Sequence, residues 1–438
     1  MSASNPSIYE ELFIESNDRS KTVDLKLGTV SIDYYENLYS PTITAKMRVV
    51  NTGDSVAVEG EKERQSIYNG LPLRGGERLS FKILDQGKTG KGEEKKGLDF
   101  TDPTKNLIVS SIVDVISENQ RESFQLNLVS REAITNETSR VFKKYSAKIN
   151  ASVETILTDP RIGFNVDKSR YDIDPTSNDY KFIGNLRKPF TILVWLAAKS
   201  VPDKSEDKTA GFLFFQTQDG FKFKSIDSLT KQDSKATYTY TEVNESSIDV
   251  NNDFRILNYS VDKNQNLLEQ LRLGTFASVR FTFDPFNFVM KQRPFKFDEA
   301  GIDKLGNKII LPKLSDEADK TLSDIPSRAF SSVVDRGTFD LDVSTKENSD
   351  PTKNLAQAAM RYNMLTSQLL SITVPCNTDL RAGDIITCKF PKVSREDSER
   401  FDPETSGKYL IKELCHHFDP DRSFTSMKLA RDSFGETW

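Results

Sequence analysis

The residues best suited to chemistry in this chain are its two histidines, His416 and His417, which directly follow Cys415. Imidazole and thiolate groups are the usual ligands of zinc, and the other two cysteines, Cys376 and Cys388, could lie nearby. The surrounding alternation predicts a strand, however, and adjacent residues of a strand point to opposite faces. Since the chain also has no Cys-x-x-Cys pair, we expect no metal site and no cofactor.

Signals for catalysis are equally sparse. The sequence has no Gly-x-Ser-x-Gly elbow, phosphate-binding loop or dinucleotide fingerprint. A glycosidase needs two carboxylates across a cleft, and the 65 acidic residues leave such a pair open. The phenylalanines of segment 212–223 could stack on a sugar, but they fit the core of a hydrophobic hairpin better. We therefore expect no enzyme, and keep a carbohydrate-binding or peptidoglycan-hydrolysing cell-wall module as the alternative.

Composition narrows the class of protein further. A net charge of −5 argues against a general nucleic-acid binder, which needs a basic surface. No run approaches the apolar length of about 20 residues that a membrane helix needs, and the first residues do not resemble a signal peptide. Three cysteines in 438 residues fit free thiols in a reducing compartment. We expect a protein without a membrane segment that is assembled in a cytoplasm.

The elements that would position these residues are mostly strands. Period-two alternation predicts strands throughout the first third, and Leu107–Ile116, apolar on both faces, predicts a central strand. In the middle, the pattern predicts helices over 139–159 and 189–200 and a hairpin over 211–229 that turns at 218–220. After 236 it predicts strands at 256–261, 276–283, 384–390, 408–418 and 424–431, helices at 266–273 and 354–370, and an extended excursion over 284–353.

One turn sequence occurs twice. The first copy consists of Leu73, Arg74, Gly75, Gly76 and Glu77, and the second of Leu380, Arg381, Ala382, Gly383 and Asp384. In each copy a glycine can take a positive φ at no steric cost, and an acid then leads into an alternating strand. Segment 123–132 also aligns without a gap to 423–432. Chance can produce such matches, but two motifs in the same order favour a duplicated β-domain.

The second copy also carries a resemblance to a known family. Segments 371–391, SITVPCNTDLRAGDIITCKFP, and 407–434, GKYLIKELCHHFDPDRSFTSMKLARDSF, resemble baseplate hub proteins of contractile-tailed, T-even-like phages. They also resemble the hub half of type VI secretion spike proteins. Segment 35–54, YENLYSPTITAKMRVVNTGD, is similar to the first domain of that family. The resemblance is best over 20–135, 250–283 and 355–434.

The resemblance implies a mainly β fold with an α+β insertion: two tail-tube-like β-barrel domains and a mixed α/β middle domain. The predicted limits are 1–135 for the first barrel and 136–235 for the middle domain. The second barrel begins in 236–283, is interrupted by an extended insertion at 284–353, and ends in 354–438 with a C-terminal tail.

The resemblance also implies a structural virion component of the tail baseplate. Three chains would form a homotrimer with a pseudo-six-fold ring that adapts a hexameric tail tube protein to a trimeric spike protein. Baseplate wedge proteins are further expected partners, and DNA would pass through the lumen without specific binding. The hub of a secretion-system spike is an alternative within the structural class. Phe434 and Trp438, near the end of a polar run, are predicted partner contacts.

Overall fold

The structure is a computed structural model. It describes residues 6–53, 55–57, 64–85, 97–119, 121–203, 209–241, 252–285, 287–298, 302–309, 311, 321–335, 348, 353–393 and 401–435. Within these residues, no helix is both long and apolar enough to cross a membrane.

Strands dominate the described chain, so the predicted mainly β class is confirmed. The strands before the middle region are β1 (Ile8–Glu15), β2 (Thr22–Asp24), β3 (Thr29–Asn37), β4 (Thr44–Asn51), β5 (Arg78–Leu84), β6 (Leu98–Asp99), β7 (Leu107–Glu118) and β8 (Arg121–Ser130). The middle region contains β9 (Lys144–Tyr145), β10 (Tyr171–Ile173), β11 (Phe182–Ile183), β12 (Phe212–Thr217) and β13 (Gly220–Ser225). The remaining strands are β14 (Thr237–Tyr240), β15 (Arg255–Ile256), β16 (Asn258–Asn264), β17 (Ala277–Asp284), β18 (Val289–Lys296), β19 (Arg328–Val333), β20 (Gln368–Pro375), β21 (Ile385–Lys389), β22 (Gly407–Phe418) and β23 (Ser423–Arg431).

The helices are short. They are α1 (Ile67–Gly70), α2 (Arg131–Thr138), α3 (Ile149–Thr158), α4 (Pro189–Ala197), α5 (Ile226–Thr230), α6 (Leu267–Leu273) and α7 (Lys353–Leu365). The helices predicted at 189–200 and 266–273 are confirmed as α4 and α6. Pro189 lies in the first turn of α4 as predicted, where its missing N–H costs no hydrogen bond, and the Asn266 side chain caps α6 by accepting a hydrogen bond from the Glu269 N–H. The helix predicted over 139–159 is wrong in its first half, where β9 pairs with β11 instead.

The predicted duplication is visible in the pairing of the strands. One large sheet contains both ends of the chain, and five of its strands recur in the same spatial order. In what we name the first unit the order is β3-β4-β8-β7-β5, and in the second unit it is β16-β20-β23-β22-β21. All corresponding neighbours pair antiparallel. The described pairings do not close either unit into a ring.

The outermost strands differ between the units. β1 pairs antiparallel with β5, whereas β14 pairs parallel with β21. The two units are joined where β3 pairs antiparallel with β22, from Ile32 opposite Phe418 to Asn37 opposite Glu413. We call this junction the seam.

The ungapped alignment of 123–132 with 423–432 is wrong by one residue. In β8, Leu128 lies opposite Val109, and in β23 the residue in the same place, opposite Ile411, is Leu429 rather than Lys428. A shift of one residue turns every side chain of a strand to the other face. The buried faces agree only with the shifted register, since Lys428 is exposed and Leu429 is buried.

The prediction that 107–116 is a central strand is confirmed only at the start of β7, where this strand lies between β8 and β5. β5 pairs with β7 only at Leu107 and Ile108. Beyond that point, no described strand pairs with this edge of β7, so Val115 is 41% and Ile116 is 58% exposed. Only the beginning of β7 belongs to the core of the first unit.

The region 284–353, predicted to be an extended insertion, contains strands in its described part. β18 and β19 both pair with β17, and this three-stranded sheet is separate from the large sheet in the described pairings. Phe276, Phe297 and Met364 form a small core between this region and α7. β17 therefore pairs with strands of the predicted insertion. The domain limits themselves remain a prediction.

Candidate functional site

The first repeated turn, Leu73–Glu77, is held by the carboxylate of its own last residue. This carboxylate accepts hydrogen bonds from the N–H groups of Arg74, at 2.7 Å, and Gly75, at 2.9 Å. Gly76 has a φ of +93°, and its N–H donates to the Val109 carbonyl at 2.8 Å. The N–H of Val109 returns a bond of 2.9 Å to the Glu77 carbonyl, so the turn is fixed to the start of β7.

The second turn, Leu380–Asp384, repeats this arrangement. The Asp384 carboxylate accepts a bond from the N–H of Arg381 at 2.8 Å, and Gly383 has a φ of +91°. The Gly383 N–H donates to the Ile411 carbonyl at 2.9 Å, and the Ile411 N–H donates to the Asp384 carbonyl at 2.8 Å. Leu73 and Leu380 are both buried at the turn entrances. The two turns lie in separate units, each at the start of its own equivalent strand.

The surroundings of the two turns differ. Arg74 is exposed. In contrast, the Arg381 side chain donates from Nε to Asp219 in the turn between β12 and β13, at 3.2 Å. The N–H of Ala382 donates to the Glu36 carboxylate of β3 at 2.9 Å. The second turn is therefore a junction between the first unit, the middle region and the second unit.

Glu36 is the buried acid at this junction. It is 1% exposed, and accepts hydrogen bonds from the Tyr34 hydroxyl at 2.8 Å and the Gln218 N–H at 2.7 Å as well as from Ala382. Burial raises the pKa of Glu36 to about 7, while the nearby Arg381 guanidinium and these donors oppose the increase. The acid and its donors tie three parts of the chain together.

The seam continues along β3 and β22. Asp33 and His417 are directly opposite each other, and Oδ1 of the acid lies 2.5 Å from Nδ1 of the imidazole. This hydrogen bond raises the pKa of His417. On the other face, Phe418 and Cys376 of the second unit are buried in the core of the first unit. The seam therefore has an apolar side and a polar side.

A second buried cluster connects the middle region to the end of the chain. Arg361 of α7 is fully buried, and its guanidinium lies 2.9 Å from Asp227 of α5 and 3.1 Å from Asp432, which follows β23. Two buried acids share one buried base in this triad, and the base also donates to the Asp303 carbonyl at 3.1 Å. Each charge is compensated by the others, so removal of one leaves a buried charge without its balance.

The histidines and cysteines do not form a site together. His416 is buried with Nδ1 2.9 Å from Thr425 Oγ1, and His417 lies on the opposite face, as the strand geometry predicts. Burial raises the pKa of Cys415 to about 12, so its thiol stays protonated at neutral pH. Among the described residues, no group of three His, Cys, Asp or Glu side chains could hold a metal ion.

The hairpin phenylalanines and Phe434, one of the two predicted partner contacts, all lie in buried positions. The hairpin phenylalanines are buried as predicted, at positions Phe212, Phe214, Phe215, Phe221 and Phe223. Phe434 is 6% exposed and its backbone exchanges hydrogen bonds with Lys308, which leaves little of it for a partner. Trp438, the other predicted contact, lies outside the described residues.

Sequence reasoning missed Glu36 and Arg361, although a signal for each was present. In β3, Ile32, Tyr34 and Glu36 share one face of an alternating strand, so the acid occupies a core-facing position. In α7, Arg361 lies three residues after Ala358 and falls on the apolar stripe. A charged residue in a core-facing register indicates a buried ionic contact.

Substitution of the two turn glycines compares the packing around the first and the second repeated turn. Both Gly76→Ala and Gly383→Ala place a side chain at positive φ, which costs about 1 kcal/mol. A Cβ at 383 would also lie 2.9 Å from the Phe215 ring, whereas one at 76 would meet the movable Asn17 side chain at 3.0 Å. We expect Gly383→Ala to lower the free energy of unfolding by about 2–3 kcal/mol and Gly76→Ala by about 1 kcal/mol. Denaturant titration measures both, and equal losses would contradict the assigned packing.

The stability of the seam should fall as pH rises. His417 has a raised pKa, so its contribution is complete below the unfolded pKa of about 6.5 and is lost as pH rises through the folded value. Glu36 acts in the same direction, because the folded state favours its protonated form up to about pH 7. Between about pH 5 and about pH 8, Asp33→Asn and Glu36→Gln should each flatten the decline in unfolding free energy. Exposed Asp421→Asn is the control, and unchanged slopes in both seam variants would contradict the assignment.

Comparison with known proteins agrees with this architecture. No protein-family model matches the chain. The chain is 21% identical to the probable baseplate hub protein gp334 of Vibrio phage KVP40 over an alignment of 310 residues. This alignment covers 67% of this chain and 67% of the phage protein. The solved 43 kDa tail protein of prophage MuSo2 from Shewanella oneidensis has a TM-score of 0.52, with 10% identity over 97% of this chain and 99% of that one. A tail protein from Neisseria meningitidis MC58 has a TM-score of 0.50, with 10% identity over 96% of both chains.

The fold is therefore that of phage tail proteins. The resemblance to phage baseplate hub proteins predicted from the sequence is confirmed by the similarity to the Vibrio phage protein.

Proposed function

We propose that this protein is a structural hub of a contractile phage tail baseplate. The observation that carries the proposal is the duplication, in which five strands recur in the same order and one turn recurs with the same backbone hydrogen bonds to the neighbouring strand. A chain with two similar units gives a trimer six similar units around its axis. Such a ring can match a hexameric tail tube on one side and a trimeric spike on the other.

A structural role is favoured over an enzymatic one. The similar proteins are described as baseplate hub and tail proteins. The hairpin phenylalanines, which could have formed a sugar-binding surface, are buried instead: four lie in the core of the middle region, and Phe215 packs in a separate cluster with Leu38 and Leu410. The buried acids Glu36, Asp227 and Asp432 are engaged in contacts between parts of the chain. These residues hold the units in place, which is what an assembly protein requires.

We further propose that the polar faces of the two units border the channel for DNA. The face of the seam opposite the core carries charges of both signs, including Asp33, Lys46, Arg48, Glu413 and Lys428. The charge of this face is therefore mixed. A surface without a continuous basic track provides little counterion release, so DNA can move past it without specific binding.

The spike, the tail tube and the baseplate wedge proteins are the proposed partners, and the mature protein resides in the virion tail. Light scattering of the purified chain tests whether it forms a trimer. We expect a particle of three times the 49.6 kDa chain mass for the chain alone, or a heavier particle with three copies of the chain when the spike is co-expressed. A monomer in both preparations that binds peptidoglycan fragments would overturn the proposal in favour of a cell-wall module.

A further inference from the structure

The seam inside the chain shows how one unit attaches to the next. β3 contributes one edge and β22 the other, over six directly opposed residue pairs. At this junction Ile32, Tyr34 and Phe418 are fully buried, and Leu414 is 2% exposed. The contact is antiparallel pairing of two strand edges with apolar side chains on one face. Because the chain contains two such units, each edge has a counterpart.

The counterpart of β22 is β7. Both strands accept a hydrogen bond from the turn glycine, at Ile411 and Val109. Each then carries one extra residue relative to its partner strand, immediately before Glu413 and Ser111. The counterpart of β3 is β16. Both lie at the outer side of their unit, and pair with the equivalent strands β4 and β20.

These two counterpart edges are exposed. No described strand pairs with β7 beyond its start, and among the described strands β16 pairs only with β20. Val115 and Ile116 of β7 are 41% and 58% exposed, and Val261 of β16 is 40% exposed. The residue equivalent to Val261 is Tyr34, which is fully buried in the seam. A long strand edge with exposed apolar side chains favours pairing with another strand.

The two edges are also matched in length. Within the seam, neither β3 nor β22 contains an irregularity. β7 has one extra residue between Val113 and Ile116, and β16 has one between Val261 and Lys263. When the seam is used as the template, these extra residues fall opposite each other. The ladder therefore stays in register on both sides of them, with Ser260 opposite Ile116 and Lys263 opposite Val113.

We propose that β16 of one copy pairs antiparallel with the β7 edge of a second copy, in the register of the internal seam. The occupant of each edge is thus another copy of this chain, and the contact continues the internal seam around a ring. It is a head-to-tail contact, which closes into a ring when the rotation permits. This inference rests on the proposed trimer for the number of copies, and adds the surface through which they meet.

The proposed register places two pairs of side chains opposite each other. Val261 lies opposite Val115, so two half-exposed apolar residues cover each other. Asp262 lies opposite Asp114, and like charges in this position repel. Ionic strength screens such exposed charges, so association should tighten as salt is raised.

Disulfide trapping tests the register. The variant with Ser260→Cys and Ile116→Cys should form covalent oligomers up to the trimer on oxidation, seen on non-reducing gels. The control with Ser260→Cys and Ser117→Cys moves one thiol to the opposite face of β7, and should remain mostly uncrosslinked. Each single variant should remain uncrosslinked as well. Equal crosslinking of the two pairs, or none in a particle of trimer mass, would overturn the proposed contact between copies. Either result would leave the proposed function standing.

A charge substitution tests the same surface without a thiol. Val115→Asp should weaken association by about tenfold or more, because it places a charge opposite Val261 in the apolar part of the contact. Val393→Asp is the matched control, since Val393 is fully exposed elsewhere on the chain. Both variants should keep the circular dichroism spectrum of the parent protein, which shows that each variant has folded. A Val115→Asp protein that assembles like the control would overturn this inference, whereas a parent chain that never assembles would overturn the proposed function too.

Discussion

Arg361→Met is expected to lower the free energy of unfolding by about 3–5 kcal/mol. The substitution keeps most of the side-chain volume but removes the only charge that stands between Asp227 and Asp432 in the described cluster. Both buried carboxylates then lose the positive charge and the hydrogen bond that Arg361 supplies, in a site from which water is excluded. Chemical denaturation followed by circular dichroism measures the loss.

The matched control for this prediction is Arg422→Met. Arg422 lies in the turn between β22 and β23, and its side chain is 63% exposed in its ion pair with Asp419. Exposed ion pairs contribute little, so the control should change stability by less than about 1 kcal/mol. Equal losses in the two variants would show that the buried cluster does not hold the middle region to the end of the chain.

Phe418→Ala is the second large effect, with an expected loss of about 3–5 kcal/mol. The phenylalanine belongs to β22 of the second unit, yet it is fully buried in the core of the first unit. Its truncation leaves a cavity in the seam, and should expose the first unit to proteolysis before the second. Phe142→Ala is the control, because Phe142 is 53% exposed. Simultaneous cleavage of both units, or a loss no larger than in the control, would contradict the role of the seam.

The elements that could be predicted from the sequence are those set by local patterns. Alternation placed β21, β22 and β23 within one or two residues, because each strand has one face on a core. The two turn glycines were also predictable, because a glycine followed by an acid before a strand is a local signal for a turn. Gly76 and Gly383 have a positive φ, and each is followed by the acid that caps the turn.

The parts that could not be predicted depend on distant contacts. The partner strands of β17 lie in a segment whose composition suggested no regular structure. The repeat was aligned one residue out of register, because identities such as Ser123 with Ser423 outweighed the alternation of buried positions. β7 was expected to be a central strand because it is apolar on both faces, yet most of its residues are exposed or half-buried. Its exposure follows from which strands pair with it, and a local pattern does not contain that information.

Glu36 and Arg361 show the same limit of prediction from a local pattern. The core-facing register of Glu36 and Arg361 indicates burial, but the sequence does not indicate what each would meet. Glu36 meets the second turn, and Arg361 meets Asp432 near the chain end. Both contacts join segments far apart in sequence. They exist only because the two units are packed against each other and against the middle region.

Electron microscopy of the purified particle, viewed down its axis, tests the central claim most directly. We expect three-fold symmetry with six similar units around a channel, two from each chain, and equal spacing across the internal seam and the contact between copies. A particle with only three such units around the axis, or one in which 20–135 and the C-terminal quarter have unlike shapes, would contradict the symmetry-matching role.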